Sequence, residues 1–201
     1  YGTPDVLTYE DVDLPTPAAG QVRIRVAGTS FNSVDGTIRA GFMQEPMPLT
    51  LPHTPGLDVA GTVDEVGDGV TRWAVGDEVV GFLPFTVDGA AAEHVLASAG
   101  SLARAPKSIP LADAAALPLV GLTAWQALFV HADLKAGQRI LVTGATGAVG
   151  GYAVQLAAAA GAHVIASASE ASADQARHLG AHEVVGRIAA DATTVVGEPV
   201  D

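Results

Sequence analysis

Arg139-Ile-Leu-Val-Thr-Gly-Ala-Thr-Gly-Ala-Val-Gly-Gly-Tyr-Ala-Val-Gln-Leu-Ala157 is the stretch that decides the fold. A short β-favouring run ends in three glycines, Gly144, Gly147 and Gly150, and an Ala-rich segment follows at once. Strand, tight glycine turn and helix in that order build a phosphate site. The turn lets backbone approach a pyrophosphate, and the helix start offers unpaired N–H groups and a partial positive charge. The pattern predicts a strand over 139–143, a helix over 149–160, a strand over 163–167, a helix over 171–179 and a strand over 183–185. Such βαβαβ alternation implies a parallel sheet with right-handed crossovers. Gly161 and Gly180 fall where helix C-caps belong. Pro199-Val-Asp201 reads as the beginning of another strand. A doubly wound sheet usually has about six strands. The chain is therefore expected to be part of a longer polypeptide, or else a short chain whose sheet a partner completes. Alone, it is expected to be inactive or poorly folded.

Upstream the pattern is different. Val22-Arg-Ile-Arg-Val26 alternates apolar and polar residues, as a half-exposed strand does. Val59–Val66 and Asp77–Phe82 read as further strands, and Ala91–Leu96 as another. Pro15-Thr-Pro17, Gly67-Asp-Gly69 and Gly76-Asp77 supply turns between them. Many short strands with Gly and Pro turns suggest a small barrel or sandwich. Composition shifts near Pro106-Lys-Ser-Ile-Pro110. Leu111–Leu117 then favours helix, Pro118 reads as a break, and Thr123–Val130 as a second helix. The domains expected are 1–110, mostly β, and 111–201, α/β.

The chain of 201 residues carries 10 basic and 22 acidic side chains, a net charge of −12. Such a surface repels nucleic acid and anionic lipid, so neither is expected as a partner. An anionic cofactor must then be held by local dipoles and a few placed cations. No uncharged apolar run reaches the roughly 18 residues of a membrane span. There are no cysteines, which excludes disulfides and thiolate ligands and agrees with a cytoplasmic setting.

Several motifs, taken together, resemble the zinc-independent quinone oxidoreductase branch of the medium-chain dehydrogenase/reductase superfamily. They are Tyr1-Gly-Thr-Pro-Asp-Val-Leu, Asn32-Ser-Val-Asp35 with Ile38-Arg39-Ala40-Gly41, and Pro55-Gly-Leu-Asp-Val-Ala-Gly-Thr-Val63. Val75-Gly-Asp-Glu-Val79, Ala92-Glu-His94, Leu117-Pro-Leu-Val-Gly-Leu-Thr-Ala-Trp125 and Gly144-Ala-Thr-Gly-Ala-Val-Gly150 follow in order. The resemblance implies a GroES-like N-terminal barrel domain, then the first half of a Rossmann sheet, with the active site between the two domains. It also implies a homodimer when the protein is full length.

Zinc-dependent relatives hold their metal with a Cys and a His from the barrel. By resemblance, Asn32 and Leu57 stand at those positions; Leu cannot ligate a metal and an amide binds zinc poorly. No zinc is expected. His178 and His182 are separated by Gly180 and read as solvated residues at a helix end. Without a metal, hydrogen-bond donors must stabilise charge developing on a carbonyl oxygen, which suits reduction of a quinone or α,β-unsaturated carbonyl. By resemblance the catalytic candidates are Asn32, Arg39 and Thr123. Each has a plainer reading: Asn32 and Asp35 as turn or helix caps, Arg39 as a surface ion-pair partner, Thr123 as a cap. The family often has a Tyr before the Ile-Arg pair; Thr37 stands there. Tyr152 reads as packing, His94 as structural and His53 as solvent-facing.

Asn32, Thr123, Gly144, Thr146, Gly147, Ala148, Val149, Gly150, Ser167 and Ser169 are the candidate cofactor contacts. NAD-binding folds place a carboxylate at the end of the second strand. Here that place is taken by Ala168, between Ser167 and Ser169, which favours NADP over NAD; Glu170 argues the other way and Arg177 is the nearest base. The activity expected is NADPH-dependent reduction of a small-molecule quinone or enone. An enoyl-thioester reductase and a non-catalytic nucleotide-binding protein are the alternatives.

Overall fold

The alternation in Val22–Val26 produces the strand it predicts. β1 (Gln21–Gly28) buries Val22 and Ile24 completely and leaves Arg25 exposed. β2 (Asp58–Val66), β3 (Glu78–Phe82), β4 (His94–Ser98) and β5 (Leu102–Arg104) join it. The five strands form one antiparallel sheet in the order β4-β1-β2-β3-β5. Ile24 stands opposite Val63 of β2 and Val95 of β4. All three join Val22, Val59, Trp73, Val79 and Leu83 in one core cluster. Burying an aliphatic side chain of this size contributes about 1.5–3 kcal/mol. α1 (Ser33–Arg39) follows β1 directly.

β2 departs from simple alternation, because its first four residues are all buried. A 3₁₀ segment, Ala112–Ala116, explains this by packing Ala114 and Ala115 against Ala60 and Val80. The sheet is thus covered on a second face by residues just beyond the composition shift. This computed structural model describes residues 1–188 and 199–201. They fall into two units, Tyr1–Leu119 and Val120–Asp201, so the segment 111–119 belongs with the first.

Pro118 does not break the chain there. It opens α2 (Pro118–Trp125), because its fixed φ and missing N–H cost nothing in a first turn. The helix expected from Thr123 therefore begins at Pro118, and its continuation, Gln126–His131, is wound as a π-helix.

The second unit follows the alternation closely. β6 (Arg139–Val142), α3 (Ala148–Ala159), β7 (His163–Ser167), α4 (Ala173–His178) and β8 (Glu183–Val185) come in that order. The sheet is parallel, β6-β7-β8. Gly161 and Gly180 end the two helices at φ +81° and +109°, conformations that glycine adopts without a Cβ penalty. Val154 and Ala157 of α3 pack on Val164 and Ala166 of β7, with Tyr152 against the same cluster. On β6, the Arg139 carbonyl accepts the Asp201 N–H (2.9 Å), and the Arg139 N–H donates to the Asp201 carboxylate (2.8 Å). Alternate residues of a strand present these groups to opposite edges, so Asp201 lies on the edge away from β7. No helix among the described residues is long and apolar enough to cross a membrane.

Candidate cofactor and reaction site

The glycine loop forms the structure its sequence predicts. β6 delivers the chain to Gly144, whose φ of +60° turns it back toward the sheet. The Gly147 N–H closes this turn on the Gly144 carbonyl (2.9 Å). Gly147 is then the N-cap of α3, and the first helical bond runs from the Gly151 N–H to the Gly147 carbonyl (2.7 Å). The N–H groups of Ala148, Val149 and Gly150 precede that ladder and point along the helix axis. Thr146 is half-buried in the turn, and Ala148 and Val149 are exposed. A Cβ on Gly150 would run into the Gly144 carbonyl oxygen, so only glycine lets the loop lie this close to the helix. Backbone donors, positive dipole and missing side chains fit a pyrophosphate. The fit rests on the chain's own geometry.

Three features meet at the same end of the sheet. The Ala145 N–H donates to the Ser167 carbonyl at the end of β7 (3.3 Å). The Ser167 hydroxyl donates to the Gly186 carbonyl just past β8 (3.1 Å), so Ser167, one of the candidate contacts, is buried and spends its proton inside the protein. Ser169 is half-buried and shares a hydrogen bond with Ser172 (2.9 Å). Ala168 is buried, Glu170 is exposed, and Arg177 pairs with Asp174 on α4 (2.9 Å). The sequence reading passed over Arg187. It is exposed one residue beyond the Gly186 carbonyl that Ser167 engages, which puts a cation at the end of the second strand.

In the first unit the candidate residues gather round a carboxylate that sequence reasoning missed. Asp58, the first residue of β2, is only 1% exposed. One oxygen, Oδ2, accepts from the Ser30 hydroxyl and from the Asn32 amide Nδ2 (2.9 Å). The other, Oδ1, accepts the Leu119 N–H in the first turn of α2 (2.7 Å). Asn32 Nδ2 also lies 3.1 Å from the Ser30 oxygen. Thr29 completes the cluster by donating its hydroxyl to the Asp58 backbone carbonyl (2.7 Å). Asn32 is the N-cap of α1, and Asp35, itself buried, returns a bond to the Asn32 N–H (2.7 Å) in a capping box. The plain capping reading of these two residues is thus realised, alongside the Asp58 network. A signal was present: a lone charge in the apolar run Leu57-Asp-Val-Ala60 must find donors if it is buried.

Arg39 ends α1, where a cation complements the helix dipole. Its Nε is buried and makes no hydrogen bond among the described residues. The guanidinium also acts on Asp5, whose carboxyl lies below its ordinary value through the Thr3 hydroxyl first, with a smaller contribution from Arg39. Asn32 and Arg39 share α1; Thr123 is an exposed residue of α2, in the second unit.

The histidines resolve individually. His94 pairs with Asp64 (3.1 Å), a structural role. His53 does not face solvent: its side chain is 12% exposed and lies 3.6 Å from Asp88. His182 is exposed but engaged, accepting the Val164 N–H at Nδ1 (3.1 Å) and stacking near His163. No group of three or more potential ligands for a metal occurs among the described residues.

Residues 18–107 match the alcohol dehydrogenase GroES-like domain. The chain is 42% identical over 184 residues to a chloroplast envelope quinone oxidoreductase homolog of Arabidopsis thaliana, covering 89% of this chain and 56% of that protein. It is 40% identical over 187 residues to the quinone oxidoreductase of Rattus norvegicus, covering 92% and 55%. Among solved structures it resembles an NAD-dependent alcohol dehydrogenase (34% identity, TM-score 0.87, 94% of this chain and 62% of that one). It also resembles the CurK enoyl reductase (33%, TM-score 0.84, 93% and 57%). A mycobacterial protein complexed with NADPH is similar too (34%, TM-score 0.79, 92% and 56%). The chain therefore spans little more than half the length of the curated relatives it matches. A GroES-like unit followed by a parallel sheet with a glycine cradle defines the class: the chain belongs to the medium-chain dehydrogenase/reductase superfamily. Within it, the curated relatives place it with the quinone oxidoreductases.

Proposed function

We propose that the whole protein is an NADPH-dependent reductase of quinones or α,β-unsaturated carbonyls that works without a metal. The observation that carries this reading is the cradle formed by Gly144, Gly147 and Gly150 at the start of α3. Thr146, Ala148, Val149 and Gly150 hold the pyrophosphate there. Preference for NADP rests on Ala168 standing where an NAD site has a carboxylate, and on Ser169 and exposed Arg187 beside it. The bound cofactor supplies a hydride. The protein's part is to orient the two reactants and to place donors where the carbonyl oxygen gains charge. Arg39 and Thr123 are the donors we assign to that oxygen, with Asn32 orienting the cofactor. Asn32 and Leu57, at the positions of a zinc site's ligands, leave a metal without its Cys and His.

The test is the full-length protein with NADPH and a panel of quinones, enones and enoyl thioesters, followed by loss of nicotinamide absorbance. Turnover of quinones or simple enones supports the reading. Turnover of thioesters alone favours the enoyl-thioester alternative, in keeping with the likeness to an enoyl reductase. Binding without turnover leaves a nucleotide-binding protein, and tighter NADH than NADPH binding refutes the cofactor assignment. A homodimer and a cytoplasmic setting belong to the same proposal, and sedimentation and cell fractionation test them.

A further inference from the structure

We propose that Asp58 is a positioning residue of the reaction site: it dictates which end of the Asn32 amide remains for a ligand. This rests on the proposed function only in saying what that ligand is. A carboxylate accepts hydrogen bonds and donates none, so the amide group facing Asp58 must be the nitrogen. Nδ2 carries two protons. One meets Asp58 Oδ2 at 2.9 Å and the other the Ser30 oxygen at 3.1 Å. Ser30 spends its own proton on the same carboxylate. Asn32 is left with no side-chain proton to give and acts only as an acceptor, through Oδ1. An acceptor matches a hydroxyl or amide N–H of a ligand and opposes an oxyanion. Asn32 therefore orients the cofactor and takes no part in stabilising the carbonyl oxygen.

The same carboxylate caps α2. Leu119 lies in the first turn, where N–H groups have no helical acceptor, and Asp58 Oδ1 supplies one at 2.7 Å. The positioning of Asn32 and the start of the helix that carries Thr123 thus depend on one buried charge.

Two measurements on the full-length protein test this. The first is hydrogen exchange of the Asn32 side-chain amide by NMR, which does not depend on activity. Both protons are expected to exchange slowly in the wild type and rapidly in Asp58→Asn; wild-type exchange as fast as that of an exposed asparagine overturns the proposal. The second compares Asp58→Asn with the reciprocal double variant Asp58→Asn/Asn32→Asp. In the single variant an amide donor faces Asn32, whose amide must flip and offer protons to the ligand. NADPH is expected to bind about tenfold more weakly, the loss of a charge-assisted hydrogen bond, with KM changing more than kcat. The double variant restores an acceptor on both sides, and affinity is expected to return to within about threefold. A double variant that melts like the wild type yet binds no better than the single variant overturns the proposal. If wild type binds no nicotinamide cofactor, the proposed function fails, and the exchange measurement alone decides the role of Asp58.

Discussion

Gly150 and Gly151 are neighbours in the first turns of α3, and alanine at each is expected to move stability in opposite directions. Both are helical, so alanine gains about 0.5–1 kcal/mol of backbone entropy and propensity at either site. At Gly151 a Cβ would meet Leu179 Cδ1 at 3.5 Å and the Ala145 carbonyl oxygen at 3.9 Å, ordinary contacts. The helical gain then stands. At Gly150 a Cβ would strike the Gly144 carbonyl oxygen and lie 2.8 Å from its carbon and 3.0 Å from Ala145 Cα. All of this is backbone, so the loop itself must move. Overpacking of that kind costs about 1–3 kcal/mol, which exceeds the helical gain. The displaced carbonyl is also the one that holds the Gly147 N–H, so the anion cradle opens with it. Gly150→Ala is expected to lower Tm by a few degrees and weaken NADPH binding; Gly151→Ala is expected to raise Tm by about 2–4 °C and leave binding unchanged. Thermal melts and NADPH titrations of the full-length variants check this. A Gly150→Ala protein that melts and binds like the wild type would falsify the cradle argument.

Further expectations follow from single contacts. Ile24 is fully buried between Val63 and Val95, so Ile24→Ala is expected to cost about 2–5 kcal/mol in urea unfolding and Ile24→Val about 0.5–1.5; equal costs would contradict a tightly packed site. The Glu183 carboxyl is held below its ordinary value of 4.5, chiefly by the hydrogen bond from His163 and in smaller part by Arg139. A depressed carboxyl stabilises above its unfolded pKa and loses that contribution as pH falls through its folded value. The Tm difference between wild type and Glu183→Gln is therefore expected to hold above pH 4.5 and shrink below it; a difference that grows in acid overturns the assignment. Arg187→Ala is expected to reduce the preference for NADPH over NADH by about tenfold, the scale of a charge-assisted contact to phosphate, and an unchanged ratio of the two affinities refutes that role. Thr123→Val is expected to lower kcat by about 100-fold with little change in the KM for NADPH, as removal of an oxyanion donor does; a change in KM alone would move Thr123 to cofactor binding.

The parts of the fold legible in the sequence are those set by local backbone physics. Glycine at 144, 161 and 180 is required by positive φ, and Val22–Val26 carries its own two-residue period. Tertiary context decides the remainder. Pro118 reads as a break from its chemistry alone, yet a proline tolerated in a first turn starts α2 as readily as it stops a helix. β5 is too short, at three residues, to show a period; it exists through its pairing with β3. His53 sits between prolines in a loop, which suggests solvent, but Asp88 and the chain around it cover the ring.

Legibility of the site divides in the same way. The phosphate cradle is made of backbone, so its residues announce it. Asn32 shows the opposite case. Its residue type allows donation and acceptance equally, and its neighbours in sequence suggest only a helix cap. What removes its donor capacity lies across the sheet, in Asp58 of β2 and in Ser30 two residues before it. The donors left for a developing oxyanion are then Thr123 and Arg39. Arg39 already has its Nε sealed from solvent at the end of α1, so its remaining nitrogens are the ones it can aim at a ligand. Thr123 has a different dependence: the helix that carries it begins at an N–H held by Asp58. Substituting Asp58 therefore perturbs Asn32 through its amide and Thr123 through the start of its helix, and leaves Arg39 unaffected by either route. Asp58 and Asn32 substitutions should be non-additive in cofactor affinity, whereas Asp58 and Arg39 substitutions should add, as residues without a shared partner do.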